Sequence, residues 1–476
     1  MNTAAQAAPG SAEQPALFSE LVRSRIGENV NRCWQCVKCT SGCPLADQFD
    51  MTPNQVMRAL QLNDASVLTC RTIWLCASCH TCATRCPRDI DVTAVMDTLR
   101  IEAQRRGVAP AIPEIPAFQA IFMRLVGFFG RLPEGLLMGA FNIARGKFTQ
   151  DLGLGWQLFR RGRLKLIPTF VRTRRSVTAL AAGNKKVGYF PGCASEGSAV
   201  DYDRTARAAA GALDIELVEP EGWTCCGSSP AHATDPAKAT LMPMRTVTTI
   251  ERMQIDTLTS PCSMCYARLK TAEQEVNQDS GKAMLVAQTL GYRYSGTVRV
   301  QTLLDTFMEQ AGEEGIARRV KRPLKGLKVA CYYGCLITRP SSVTGAEHPE
   351  YPMKMDYLMK ALGADPLDWS SKTDCCGGSL SVTQTEVALK MTRRILENAR
   401  ACGADLVATM CPMCHMNLDA RQPPLGLDAD IPIVHATQLM VLAFGMGEAA
   451  ALLDKAIVDP RPVLSTRGMA AADPVQ

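Results

Sequence analysis

Cys225-Cys226-Gly227 and Cys375-Cys376-Gly377 stand at matching places in two halves of a 476-residue chain. Each adjacent pair is preceded by a single Cys and followed by Cys-x-x-Cys. Cys193 precedes the first pair with 31 residues between, and Cys262 and Cys265 follow it after 35 more. Cys335 precedes the second pair with 39 residues between, and Cys411 and Cys414 follow it after 34 more. Each half therefore gathers five thiolates, one more than a four-iron cube takes up. Adjacent Cys residues do not easily ligate two separate irons of a compact cube. They suit an opened cluster in which a thiolate bridges metals and an iron stays available to substrate sulfur. That points to redox chemistry on sulfur.

Eight more cysteines form two upstream runs, Cys33-x-x-Cys36-x-x-Cys39-x-x-x-Cys43-Pro44 and Cys76-x-x-Cys79-x-x-Cys82-x-x-x-Cys86-Pro87. This is bacterial-ferredoxin spacing, in which the fourth Cys of each run ligates the other cluster. One cubane [4Fe-4S] cluster is therefore assigned to Cys33, Cys36, Cys39 and Cys86, and a second to Cys76, Cys79, Cys82 and Cys43. Soft thiolates select iron–sulfur or zinc sites. A zinc pair of Cys-x-x-Cys, however, needs neither the third Cys at +3 nor the Cys-Pro at +7.

These sets use 18 of the 21 cysteines, leaving Cys70, Cys331 and Cys402, which read as buried structural thiols. Cys331 competes with Cys335 as the leading ligand of the second half. Cys335 is preferred because Tyr332-Tyr333-Gly334-Cys335 aligns with Tyr189-Phe190-Pro191-Gly192-Cys193. A disulfide framework is not expected in a chain of this length. Its first 16 residues, rich in Ala, Gln and Pro, show no secretory pattern and read as a disordered tail. The implied compartment is the reducing cytoplasm. No transmembrane span is expected, because the nearest candidate, Ile121 to Ala144, is broken by Arg124, Arg131 and Glu134. The net charge of +6 is unevenly placed: between Leu152 and Ser195 there is no acidic residue. Arg160, Arg161, Arg163, Lys165, Arg172, Arg174, Arg175, Lys185 and Lys186 all fall there. Such a segment is a solvated linker or attracts an acidic partner, an anionic substrate or anionic lipid. Without interleaved aromatics or a recognition motif it does not suggest nucleic acid.

The intervening pattern shows what must position these residues. Phe18 to Val30 reads as a helix leading into the first run, and Thr52-Pro53 opens another carrying Val56, Leu60 and Leu62. Val92, Val95, Met96 and Leu99 keep the rhythm of an amphipathic helix that Gly107 ends. Residues 17–108 thus form an α-helical dicluster ferredoxin domain. Residues 109–185 form a helical and basic connector. Its stripe of Phe118, Ile121, Phe122, Leu125, Val126 and Phe129 suits core packing or a helix-binding surface, with membrane-surface attachment as the less favoured use.

From Lys186 an internal repeat governs the reading. Each copy, 186–310 and 325–445, opens with an apolar strand ending at Gly-Cys. A helix, the Cys-Cys-Gly loop, another helix and a strand running into Cys-x-x-Cys follow. The result is two α/β cysteine-rich domains with parallel sheets, their Cys groups just past strand C-termini, where open α/β sheets hold ligands. The copies are expected to face each other with pseudo-two-fold symmetry, bringing both clusters to one cleft. Residues 459–476 read as a flexible tail.

On these residues the chain resembles heterodisulfide reductase. Cys33-Trp-Gln-Cys36, Ile73-Trp-Leu-Cys76 and Arg85-Cys86-Pro87-Arg88 are similar to its ferredoxin-like C-type unit, and residues 186–445 to its B-type unit. The combined chain resembles the D-type form, in which the C-type and B-type units are fused. The second copy departs from the family spacing by one residue, in its last gap. The resemblance implies that Cys193, Cys225, Cys226, Cys262 and Cys265 hold one noncubane [4Fe-4S] cluster. Cys335, Cys375, Cys376, Cys411 and Cys414 would hold the other, with a disulfide split or formed between them. It also implies a partner: a flavoprotein of the heterodisulfide reductase A type, or a membrane quinone- or haem-linked subunit. The chain itself shows neither a Gly-x-Gly-x-x-Gly fingerprint nor a P-loop.

A disulfide takes two electrons and yields two thiolates, so two thiophilic irons facing each other suit the reaction. His80, His232 and His415 lie near the Cys groups and could donate protons, but read as packed or supporting residues. The expected function is a catalytic iron–sulfur subunit acting on a small or protein-bound thiol or disulfide. It would lie in the cytoplasm, with a peripheral place at the inner membrane face left open. Two alternatives also stay open. One is an electron-transfer subunit of a flavin-dependent 2-hydroxyacid or glycerol-3-phosphate dehydrogenase. The other is a pure relay in an electron-bifurcating or quinone-linked complex.

Overall fold

Two parallel sheets carry the repeat in the computed structural model, which describes residues 17–165, 171, 185–427 and 430–467. In the first copy, β1 (Lys185–Tyr189), β2 (Ile215–Val218), β3 (Thr257–Ser260) and β4 (Arg299–Thr302) lie in the order β2-β1-β3-β4. In the second, β5 (Lys328–Tyr332), β6 (Asp365–Pro366), β7 (Leu406–Thr409) and β8 (Ile433–His435) repeat it as β6-β5-β7-β8. Strands β3 and β7 are buried along their whole length, as parallel strands covered on both faces must be. The apolar runs of the sequence mark six of these strands. They do not announce β2 and β6, which are edge strands. β6 is two residues long and contains Pro366, whose missing N–H is tolerated at an edge.

The two copies share one core. Val187, Tyr202, Ala206 and Leu303 of the first pack with Val329, Met355, Leu358 and Leu439 of the second. Helix Val200–Ala212 lies against helix Ala436–Ala443, and the Thr205 and Thr437 hydroxyls meet at 2.8 Å. The last part of the chain joins this core too. Of the stretch expected to be a flexible tail, Asp459–Arg467 is described, and it forms helix Arg461–Thr466 with Leu464 buried. Asp419 anchors the approach by accepting from the Ile457 and Val458 N–H groups.

The N-terminal unit is helical. Phe18–Ile26 ends at Gly27 in the left-handed conformation, short of the expected Val30. Pro53–Gln61 starts with a Thr52/Gln55 capping box and Pro at its first position. Val92–Arg105 is capped by Asp91, which accepts from the Thr93 and Ala94 N–H groups. Their apolar faces enclose Trp74, and the same core runs on into Leu380, Val387, Ala388 and Met391 of the second copy. Polar ties reach both copies. Arg339, buried, donates to Thr81 Oγ1 and to the Thr373 carbonyl, and Arg85 pairs with Glu350 at 2.5 Å. His232 Nδ1 lies 2.7 Å from Asp97 Oδ2.

The connector holds helices Glu114–Phe129, Glu134–Ala144 and Leu152–Arg160. Phe122, Val126 and Leu137 form a small core that includes Cys225 of the first copy, so the apolar stripe packs inward. Arg163 of the basic segment is fully buried. Arg172, Arg174 and Arg175, like residues 1–16, lie outside the described residues.

One buried network ties together the two turns that carry cysteines in the second copy. Lys372 Nζ donates to Asp356 Oδ1 at 2.6 Å, and Tyr333 OH donates to Asp356 Oδ2 at 2.7 Å. The Tyr333 N–H donates to the Lys372 carbonyl at 2.8 Å, holding Tyr333-Gly334-Cys335 beside the loop that leads to Cys375. Replacing one partner strands a buried charge. Asp356→Ala is expected to cost about 3–5 kcal/mol, read as a lower urea midpoint at unchanged slope.

Candidate metal centres

The ferredoxin-type cysteines separate into two hollows. Cys33, Cys36, Cys39 and Cys86 line one of about 360 Å³, together with Trp34, Met57 and Pro87. Cys43, Cys76, Cys79 and Cys82 line another of about 380 Å³, with Leu45, Phe49 and Met96. The fourth Cys of each run has thus crossed to the other run's hollow. Both runs use the same backbone device. Gln35 and Val37 in the first, and Ser78 and His80 in the second, take left-handed φ values of 61, 65, 52 and 55°. For a β-branched residue such as Val37 that conformation is a genuine strain, of a kind found where a site over-determines the backbone.

In the first repeat, Cys226 and Cys265 have their sulfurs 3.3 Å apart. Cys225 is within hydrogen-bonding reach of Cys193 and Cys226, and Cys262 of Cys265, so all five thiols converge. In the second repeat Cys376 and Cys414 lie 3.9 Å apart, Cys335 reaches Cys375, and Cys411 reaches Cys414. Cys262 and Cys411 are the N-cap residues of helices Ser263–Gln278 and Pro412–Ala420, just beyond the ends of β3 and β7. A helix N-terminus favours the thiolate there. Further donors point at sulfur: the Leu132 N–H to Cys193 at 3.2 Å, the Ser228 N–H to Cys226 at 3.4 Å and the Gly377 N–H to Cys375 at 3.4 Å.

Glycine makes this convergence sterically feasible. Gly192 (φ +77°) precedes Cys193, and a Cβ there would stand 3.0 Å from Cys265 Sγ. Gly334 (φ +71°) precedes Cys335, and its Cβ would stand 2.9 Å from Cys414 Sγ. Both the left-handed turn and the close sulfur demand Gly.

The sites also abut one another. Cys79 of the second ferredoxin-type hollow is within hydrogen-bonding reach of Cys375. Cys262 of the first repeat reaches Cys411 of the second, and Ser263 Oγ donates to Cys411 Sγ at 2.9 Å. Each repeat has its own cover. The connector closes the first, where the Cys225 N–H donates to the Gly130 carbonyl at 2.8 Å, and the ferredoxin unit closes the second. Sequence reasoning missed Gly130 and Leu132 as wall residues of a metal centre. Only the Phe122/Val126 stripe hinted that the connector packs on anything.

The remaining cysteines sit apart. Cys331 is fully buried in the shared apolar core on β5, Cys70 donates to the Val67 carbonyl at 3.3 Å, and Cys402 follows helix Thr385–Ala401. Of the three histidines, His232 meets Asp97, His80 Nδ1 lies 3.7 Å from Asp91, and His415 Nε2 bonds the Ile433 carbonyl at 3.1 Å. His80 and His232 thus stand beside carboxylates as supporting residues, and His415 is held by the backbone.

The donor sets fit iron–sulfur clusters. None of the cysteines is in a disulfide, although ten converge in two groups of five and eight line apolar hollows. Burial pushes the Cys43 thiol up and the Cys76 thiol up to about 12, so thiolates here require cations beside them. Cys335→Ala is expected to lower the iron content measured per chain, whereas Cys331→Ala leaves it unchanged. Gly334→Ala, which drives a Cβ into Cys414, is expected to lose iron as Cys335→Ala does.

Comparison with known proteins agrees with this geometry. The family model "Cysteine-rich domain" matches residues 187–270 and 329–419, and "4Fe-4S dicluster domain" matches 32–91. The 8-methylmenaquinol:fumarate reductase membrane anchor subunit of Wolinella succinogenes is 33% identical, over 58% of this chain and 98% of its own. The B-type subunit of the ferredoxin/F(420)H(2)-dependent CoB-CoM heterodisulfide reductase of Methanosarcina acetivorans is 30% identical, over 55% of this chain and 89% of its own. A C-type iron–sulfur subunit of the CoB–CoM heterodisulfide reductase of Methanocaldococcus jannaschii is 37% identical, over 17% of this chain and 44% of its own.

Proposed function

The chain belongs to the heterodisulfide reductase family as a fusion of its C-type and B-type units, and from that we propose that it is the subunit of an oxidoreductase complex that splits or forms a disulfide. The single observation carrying this reading is that two complete five-thiol sites meet at Cys262 and Cys411. Cys33, Cys36, Cys39 and Cys86 would hold one cubane cluster, and Cys43, Cys76, Cys79 and Cys82 the other. Cys193, Cys225, Cys226, Cys262 and Cys265 would hold one noncubane cluster, and Cys335, Cys375, Cys376, Cys411 and Cys414 the second. When bound, these clusters supply one-electron carriers and, at the five-thiolate sites, iron with affinity for sulfur.

The chain's own residues set the order of the sites. Cys79 lies beside Cys375 and Cys411 beside Cys262, so thiols of the ferredoxin unit, the second repeat and the first repeat adjoin in turn, while the ferredoxin unit also touches the first repeat directly where His232 meets Asp97. Arg339 holds the junction with the second repeat by gripping Thr81 and Thr373 together. The identical strand orders of the two sheets support a pseudo-two-fold relation between the repeats. A disulfide reduced there takes up two electrons and two protons and leaves as two thiols. The reverse reaction returns both electrons to the ferredoxin unit.

A membrane-linked partner is the better supported of the two partner types. Among the described residues no helix is long and apolar enough to cross a membrane. Helix Leu152–Arg160 nevertheless has no buried residue and exposes Leu152, Trp156 and Phe159, with Phe148 and Ile143 exposed just before it. Such a surface fits docking at a membrane or a subunit seated in one. The likeness to a protein named as a membrane anchor subunit supports the same partner.

The test is reoxidation of anaerobic, viologen-reduced protein by glutathione disulfide, cystine or coenzyme A disulfide. At least one is expected to reoxidise the wild type and release thiol, and Cys376→Ser is expected to lose this at least tenfold. Failure of every disulfide to reoxidise the reduced protein, or reduction of the protein by a 2-hydroxyacid through a copurifying flavoprotein, would favour the dehydrogenase alternative.

A further inference from the structure

Three donors meet where the repeats join, and the thiolate sites do not use them. Asp201 comes from helix Val200–Ala212 of the first repeat, His415 from helix Pro412–Ala420 and His435 from the end of β8 in the second. All three are fully buried, and one ligand atom from each lies within 4.8 Å of the others. Neither carboxylate oxygen of Asp201 closes a full hydrogen bond, the nearest donors being the backbone N–H groups of Asp201 and Tyr202. Neither ring nitrogen of His435 has a hydrogen-bond partner, and nor does His415 Nδ1. His435 sits at the N-cap of helix Ala436–Ala443, where its ring faces the Gln438 N–H without closing a hydrogen bond. Leaving a buried polar group unpaired costs roughly 1–3 kcal/mol, and more when it is charged. Three such groups on one spot call for a shared occupant.

The remaining contacts say which kind. His415 Nε2 is already engaged, donating to the Ile433 carbonyl at 3.1 Å. That is how a ligating imidazole is usually held, its other nitrogen fixed by a backbone carbonyl so that the free lone pair is aimed. Charge points the same way. Arg163, fully buried, donates to the Ser198 and Lys455 carbonyls at 2.7 and 3.0 Å and faces Asp419 at 3.6 Å. Asp419 takes the close ion pair with Arg163, and the Asp201 carboxylate, which feels Arg163 and Lys455 only at longer range, has no ion pair of its own.

We propose that Asp201, His415 and His435 bind a divalent transition metal, zinc by its donor preference, at a site separate from the cysteine clusters. Two imidazoles and a carboxylate form a set that zinc accepts, with a water completing the shell; magnesium and calcium prefer all-oxygen shells. Arg163 Nη2, itself without a partner, is placed to donate to that water. The His415 and His435 rings stack 4.1 Å apart, and His435 also stacks on Tyr202 at 4.0 Å. Bringing the donors to the roughly 3.3 Å separation of a tetrahedral site therefore requires ring rotation. That rotation would also turn the His435 ring away from the Gln438 N–H that it faces as N-cap. The metal would clamp a helix of one repeat to a strand end of the other, behind the place where Cys262 meets Cys411.

The test uses the full chain, anaerobically purified with its iron, for elemental analysis and zinc K-edge absorption. The expected result is about one zinc per chain with a shell of nitrogen and oxygen at about 2.0–2.1 Å and no sulfur. His435→Gln and Asp201→Asn should each lose that zinc while the iron content stays unchanged. Absence of zinc, a shell containing sulfur, or zinc retained in both variants would overturn the proposal. Should a variant fail to fold, the wild-type absorption edge alone decides.

Discussion

The structure depends on bringing buried thiols from distant parts of the chain within a few ångströms of one another. Thiolates are too costly to bury alone, and thiols so crowded cannot all be satisfied by ordinary hydrogen bonds. The fold answers with rigid supports. Strand ends aim Cys193 and Cys335, helix N-termini receive Cys262 and Cys411, and glycine at 192 and 334 leaves room for the sulfur arriving from the far side. Each repeat reproduces the solution, and so both sheets have the same strand order.

What differs between the repeats is their cover. The ferredoxin unit packs over the second site and brings Cys79 to Cys375. The connector packs over the first and places Gly130 and Leu132 against Cys225 and Cys193. Fusion in one chain thus makes two similar sites unequal. The second site adjoins the ferredoxin unit through Cys79, and the first is closed by helices Glu114–Phe129 and Glu134–Ala144 of the connector. Helices Glu114–Phe129 and Glu134–Ala144 build the wall, and helix Leu152–Arg160, which has no buried residue, adds an exposed apolar surface.

Much of the site was legible in the spacing of cysteines, because metal ligation restricts spacing more tightly than packing does. The crossing of Cys43 and Cys86 between runs, the ten repeat cysteines and the choice of Cys335 over Cys331 all correspond to groupings found in space. Strands with continuous apolar runs were legible as well, to within two or three residues. Two of the four edge strands were not: Ile215–Val218 is half exposed, and Asp365–Pro366 is held by its neighbour rather than by any local preference. Polar residues that become buried left no trace either. Arg163 sits in a run of basic residues and reads as solvated, yet it closes an internal network with Asp419. Leu464 looked like part of a tail until its core became visible.

The most direct measurement is the low-temperature EPR spectrum of oxidised, anaerobically purified protein with and without thiols. A paramagnetic signal that appears only with thiol, and broadens when the thiol carries ³³S, would place substrate sulfur at a five-cysteine site, as the proposed chemistry requires. Silence across a wide panel of thiols, with all the iron shown to be present, would contradict it and leave the chain an electron carrier.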